Sequence, residues 1–227
     1  MLFDIFRNGF SVDTLISLMS RVFVVFCVLP IHEYAHALIA TKLGDDTARL
    51  KGRLTLNPLA HLDIMGAVMI FLVGFGYARP VPVNPRKFKN PKAGMALTAL
   101  AGPASNLIMA FFFIILQKIF WYLYDANQTA VVFYVSSMFF FYAATVNVSL
   151  AVFNLLPIPP LDGSRIINLI IPSKYYFKIM QYERYIVLGI FALLVFGVLD
   201  KPLNILASFV MMGMEWLVDL PFNLILG

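Results

Sequence analysis

Residues 32–36 read His-Glu-Tyr-Ala-His, inside an apolar run that begins near Val22. Two imidazoles four residues apart share one face of a helix. Both can reach one zinc ion, and a glutamate beside the first can hold a water at the metal and take its proton. Ionisable groups within a membrane helix are expensive to leave unpaired and mark function by default. The bland alternative is a set of polar residues that only hydrogen-bond neighbouring helices.

A hydrolytic zinc site takes three protein ligands and keeps one position open. The chain has three histidines, so His61, in the stretch NPLAHLD, is one candidate for the third ligand. The other is Asp162, in NLLPIPPLDGSR, a carboxylate just after an apolar span whose helix the prolines break. Irregular backbone at membrane depth is tolerated where it is buried in protein or lines a wet cavity. The competing roles are an interfacial turn or helix-cap aspartate at Asp162 and a surface or supporting histidine at His61. The single cysteine, Cys27, excludes a cysteine zinc site and a disulfide framework within one chain. Three histidines are also too few for a membrane di-iron hydroxylase.

The elements that must position these residues follow from hydropathy. Hydrophobic residues make up 61% of the 227 and charged ones 13%, against roughly 45–50% and 25% in a soluble domain. The chain therefore reads as an α-helical polytopic membrane protein. It forms one integral-membrane domain over residues 1–227, with its core at about 12–170 and C-terminal helices at about 185–226. A spanning helix needs about 20 apolar residues. Residues 12–43, 94–123 and 129–153 qualify, and 185–199 and 202–226 read as one or two more, separated by Asp200-Lys201-Pro202. Pro30 is expected to kink the first span just ahead of the histidines. Residues 64–77 are apolar but too short, at about 1.5 Å per residue, to cross a core of about 30 Å. The expected total is about five to six transmembrane or re-entrant segments.

Two stretches read as extended. Arg49, Lys51 and Arg53 alternate with Leu50, Gly52 and Leu54, and the prolines of 77–85 forbid a helix. A small β hairpin or sheet at the membrane surface is expected, with prolines at its edge.

The formal net charge is +5, and its distribution points to orientation rather than to nucleic acid, which is excluded as a partner. Lys42, Arg49, Lys51 and Arg53 follow the first span; Arg79, Arg86, Lys87, Lys89 and Lys92 follow the short segment; Lys174, Lys178 and Arg184 follow LDGSRI. Residues 124–128 carry no basic side chain. The positive-inside rule places the three clusters in the cytoplasm and 124–128 outside. Residues 64–77 must then enter and leave on the same face.

HEYAHA at 32–37, followed by Asn154-Leu-Leu-Pro157-Ile-Pro-Pro-Leu-Asp162-Gly163, resembles the site-2 protease family of intramembrane zinc metalloproteases. AGPASN at 101–106 and YARPVPVNP at 77–85 are similar to its compact prokaryotic branch, and the likeness covers roughly residues 20–170. The resemblance implies one zinc ion per chain, held by His32, His36 and Asp162, with Glu33 as general base and Asn154 helping to position the substrate. His61 is left as a supporting residue or an alternative third ligand. No PDZ or CBS domain is inserted, so substrate selection by such a domain is unavailable.

The implied activity is hydrolysis of peptide bonds in or near transmembrane segments of membrane proteins. It would take place in the lipid bilayer of the cell membrane, at a site toward the cytoplasmic side. The extended segments at 47–56 and 77–85 are expected to hold the unwound substrate by strand addition. Gly102, Pro103 and Asn106 are expected to serve close helix packing, with Asn106 bonded across to a neighbour. The competing reading is a non-catalytic, metal-containing protein that holds transmembrane helices, which would not need Glu33. A metal transporter would need a chain of sites across the membrane.

Overall fold

A computed structural model describes residues 11–66, 68 and 78–226. The first apolar run is one continuous helix, Val12–Lys42, interrupted by a change of winding. Helix α1, Val12–Phe23, starts where the Ser11 hydroxyl accepts the Thr14 N–H. A five-residue π segment, Val24–Val28, then leads into α2, Leu29–Lys42. Pro30, where a kink is expected, follows closely on this π segment. Proline has no N–H and its ring crowds the carbonyl one turn back, and the widened turn makes room for it. Helix α2 ends at Gly44 (φ +106°). There the Gly44 N–H donates to the Thr41 carbonyl and the Asp45 N–H to that of Ala40, a Schellman closure.

Two four-residue helices follow, α3 at Thr47–Leu50 and α4 at Pro58–His61, and a 3-10 turn occupies Pro85–Lys87. The long hairpin α5, Pro91–Ala126, and α6, Val131–Asn154, forms the centre of the fold. Helices α7 (Asp162–Ile167), α8 (Ser173–Met180), α9 (Glu183–Val195) and α10 (Asp200–Leu226) complete it. Val24 and Val28 pack with Phe113, Ile114, Ala143, Ala144 and Val218 in one core cluster. Alanines at these crossings let the helices approach closely, as membrane packing favours. Helix α10 is tied to α5 by the Lys118–Asp219 ion pair at 2.9 Å.

The structure corrects one expectation and narrows another. No β strand occurs among the described residues, so the surface hairpin is not formed. Residues 47–50 wind into a helical turn because local caps outweigh a short alternation. The Asp45 carboxylate accepts the Thr47 N–H at 3.0 Å, and Gly52 (φ +67°) closes the turn, its N–H donating to Arg49 and that of Arg53 to Ala48. Residues 78–84 form neither helix nor strand and reach an extended Asn84 (φ −109°, ψ 102°), fastened by the Arg79 N–H to the His61 carbonyl at 2.8 Å; Tyr77 lies outside the described residues.

The C-terminal apolar stretch, expected to give one or two spans, gives one. Among the described residues, four helices are long and apolar enough to cross a membrane: Val12–Lys42, Pro91–Ala126, Val131–Asn154 and Asp200–Pro221. Helix α9 has 13 residues, about 20 Å, too short to cross about 30 Å of hydrocarbon. Asp200-Lys201-Pro202 does not separate one helix from the next. It opens α10, whose first turn has no use for the missing proline N–H, and the break falls at Gly197 (φ +69°). Most of the short segment 64–77 lies outside the described residues.

Candidate metal centre

His32, Glu33 and His36 all point inward from α2 and are buried. The two Nε2 atoms stand 3.0 Å apart. Asp162 Oδ2 lies 3.4 Å from His32 Nε2 and 3.2 Å from His36 Nε2. Asp162 reaches them as the first residue of α7, after residues 155–161 turn the chain back from the end of α6. That return depends on Gly163, where a Cβ would sit 2.2 Å from the Leu155 carbonyl oxygen and 2.4 Å from that of Leu156.

Helix α5 closes the other side. A Cβ on Gly102 would lie 2.3 Å from His36 Nε2 and 2.6 Å from His32 Cε1, so the bare backbone cradles both rings. One turn earlier, the Thr98 carbonyl accepts from His36 Nδ1 at 2.7 Å. That bond places the proton on Nδ1 and leaves the Nε2 lone pair for a metal. His32 Nδ1 is buried without such a partner.

These residues fit zinc. Ligand atoms about 2.0–2.1 Å from a tetrahedral ion lie about 3.3 Å from one another, and the separations here are 3.0, 3.2 and 3.4 Å. Two neutral imidazoles and a carboxylate form a catalytic rather than a structural donor set. His61 stands outside this group. It is 1% exposed, its Nε2 is 2.7 Å from the Thr55 carbonyl oxygen, and its own carbonyl fastens Arg79.

A cavity of about 600 Å³ adjoins the cluster. Glu33, Asn106, Asn154 and Arg165 supply its polar lining, with Pro80, Val81 and Val83 from the extended segment and Val187 and Phe191 from α9 among its apolar walls. Asn154 donates Nδ2 to the Leu150 carbonyl of its own helix at 2.9 Å. The extended segment is pinned by Asp45, whose carboxylate is wholly buried and accepts the Asn84 N–H at 2.6 Å, with Lys87 Nζ at 3.6 Å. Burial would raise the Asp45 pKa, but the bonds from Thr47 and Asn84 and the Lys87 charge lower it overall. Reasoning from sequence missed Arg165, whose only signal was its place three residues after Asp162. It also missed the Thr98 carbonyl, since a backbone acceptor leaves no mark in residue type. Asn106, expected to bond across to a neighbour, has a buried amide oxygen with no partner.

The model of peptidase family M50 matches residues 20–198. YwhC of Bacillus subtilis, provisionally named a zinc metalloprotease, is 44% identical over 173 residues, 75% of this chain and 78% of its own. Rip2 of Mycolicibacterium smegmatis, with the same provisional name, is 32% identical over 60% of this chain and 51% of its own, so the aligned region spans about half of that longer relative. MJ0611 of Methanocaldococcus jannaschii, named likewise, is 32% identical over 60% of this chain and 63% of its own. No solved structure matches at the same stringency. With a family match across most of its length and a relative this similar over three quarters of it, the chain belongs to peptidase family M50, the site-2 protease family of zinc metalloproteases.

Proposed function

We propose that the protein is an intramembrane endopeptidase that hydrolyses peptide bonds in or near transmembrane segments of membrane proteins. The observation that carries this reading is the convergence of His32, His36 and Asp162 beside a cavity that Glu33 also lines, within a frame of apolar helices long enough to span a bilayer. Those three residues would hold one zinc ion per chain, which would supply acidification of water and polarisation of a carbonyl. Glu33 takes the proton of the attacking water and delivers it to the leaving amide nitrogen. Asn154, which also lines the cavity, helps to position the peptide.

A transmembrane helix hides its carbonyls in its own hydrogen bonds, so the substrate must unwind before attack. The N–H groups of Val81 and Val83 make no hydrogen bond among the described residues. They offer the unwound peptide an edge to pair with. The basic residues that follow α2 and precede α5 support a cytoplasmic position for this end of the molecule in the cell membrane.

The test is bound zinc per chain, together with cleavage of transmembrane peptides in vesicles. The parent and Glu33→Gln each retain about one zinc, while Glu33→Gln loses about 10²–10⁴ in rate. Asp162→Ala loses the metal and His61→Ala keeps it. Zinc lost from His61→Ala but retained in Asp162→Ala would overturn the ligand set. A zinc-loaded parent that leaves every transmembrane peptide intact would overturn the substrate class.

A further inference from the structure

Asn106 is 1% exposed, and its amide oxygen is buried without a hydrogen-bond partner. It stands four residues after Gly102, hence on the same face of α5, one turn from the point where the helix touches both histidine rings. Among the buried polar atoms left unpartnered in the described residues, only those of His32 and Asn106 belong to residues that line the cavity. The His32 ring is accounted for by its Nε2, which meets His36 and Asp162 at the candidate metal site. Asn106 is not: it ligates nothing, bonds to no neighbouring helix and is not packing filler, since an apolar side chain would serve there without an unsatisfied oxygen.

The other cavity-lining asparagine behaves differently. Asn154 spends an amide hydrogen on the Leu150 carbonyl. A carboxamide offers one acceptor and two N–H donors, the same groups as a peptide bond. A peptide lying in the cavity has already surrendered its helical hydrogen bonds and needs partners for its own N–H and C=O groups.

We propose that Asn106 is a substrate-positioning residue: its side-chain oxygen accepts a backbone N–H of the unwound peptide beside the scissile bond. The inference rests on the endopeptidase reading above and assigns a second carboxamide to it. The recognised group is the backbone, so this contact favours no particular side chain in the substrate. It rewards unwinding, because a residue still in a helix has no free N–H to give.

The test replaces single backbone amides of a cleavable transmembrane peptide by esters, one position at a time on either side of the scissile bond. Each peptide is cleaved by the zinc-loaded parent, by Asn106→Leu and by Asn106→Ala, with bound zinc measured in each protein. Both variants retain about one zinc and lose about tenfold in kcat/KM on the all-amide peptide. At one position the ester costs the parent a similar factor and costs the variants nothing further, because the lost N–H and the lost oxygen are one hydrogen bond. A merely structural role leaves the ester and side-chain losses additive at every position, which overturns the inference while the endopeptidase reading stands. Loss of zinc from both variants assigns Asn106 to the scaffold and also overturns it. A parent that cleaves no transmembrane peptide overturns the endopeptidase reading and this inference with it.

Discussion

Glycines mark two regions of the molecule that are packed to opposite tolerances. Where α5 meets α2, a methyl on Gly102 would fall 2.3 Å from His36 Nε2, inside contact distance of the group that would bind metal. On α9, whose Val187, Leu188 and Phe191 form another wall of the same cavity, Gly189 has nothing within 4 Å of where its Cβ would stand. No residue of α9 is buried. Gly213 on α10 is equally open. The ligand side thus leaves no freedom to adjust, while the α9 wall rests on side chains that can shift. A metal site must hold its ligands to within about 0.5 Å, whereas a wall past which a peptide travels gains from being loosely held.

The strongest way to break this contrast is Gly102→Ala. The added methyl must displace either the His36 ring or the α5 backbone, and displacing the ring costs the Nδ1 bond to Thr98 as well. Zinc affinity should fall by about 10–100-fold, the loss typical when the groups orienting a ligand are disturbed. Cleavage should fall at least as far, and stability by about 1–3 kcal/mol from overpacking. Zinc titration against a competing chelator reads the first effect and thermal unfolding the last. Parent-like zinc affinity in this variant would mean that the α2–α5 contact is as forgiving as the α9 wall.

Asp45→Asn sharpens the contrast at the joint between the rigid core and the extended segment. The carboxylate joins the end of α2 to Asn84 and Lys87, and it is wholly buried. Losing hydrogen bonds to a charged group should cost about 1.5–3 kcal/mol at neutral pH. The pH dependence follows from the lowered folded-state pKa of Asp45. Its contribution is fully present above the unfolded value of about 3.9 and is lost as pH falls through the lower folded value. Thermal unfolding followed from pH 7 downward should therefore show parent and variant well separated until about pH 4 and converging below it. A gap that stays constant with pH would show that the Asp45 charge is not what holds the segment.

These regions also differ in how far the sequence disclosed them. His32, Glu33 and His36 were legible because helical spacing alone puts them on one face, and ionisable groups in an apolar run demand an explanation. Asp162 was legible as a candidate because prolines 157, 159 and 160 had to break the helix just before it. That Asp162 rather than His61 stands beside the two histidines depends on the three-dimensional return of residues 155–161, which no spacing encodes. The surface hairpin failed for a local reason: three alternating charges at 49–53 were weaker signals than the Asp45 and Gly52 caps around them. Residues 185–199 and 202–226 were read from hydropathy as one or two spans, and Gly197 decides for one by stopping α9 after 13 residues. Gly102 was read as a packing glycine, and so it is. That its packing partners are the two histidine rings depends on the crossing of α2 and α5, which sequence alone does not give.

The smallest effects belong to the open side. Gly189 and Gly213 sit in helices, are exposed, and have clear space around the missing Cβ. Alanine is favoured over glycine within a helix by about 0.5–1 kcal/mol, because glycine loses more backbone freedom on ordering. Gly213→Ala should therefore raise stability by up to about 1 kcal/mol and leave zinc binding unchanged. Gly189→Ala should do the same on unfolding, and it carries a further consequence for cleavage. If α9 need only exclude water and yield to the peptide, stiffening it should change kcat/KM by no more than about twofold, the scale of a half-kilocalorie change. A loss approaching that of Gly102→Ala, with zinc retained, would show instead that α9 must bend for the peptide to enter. The open packing of this wall would then be a working element of the reaction, and the glycine at its centre the point of flexure.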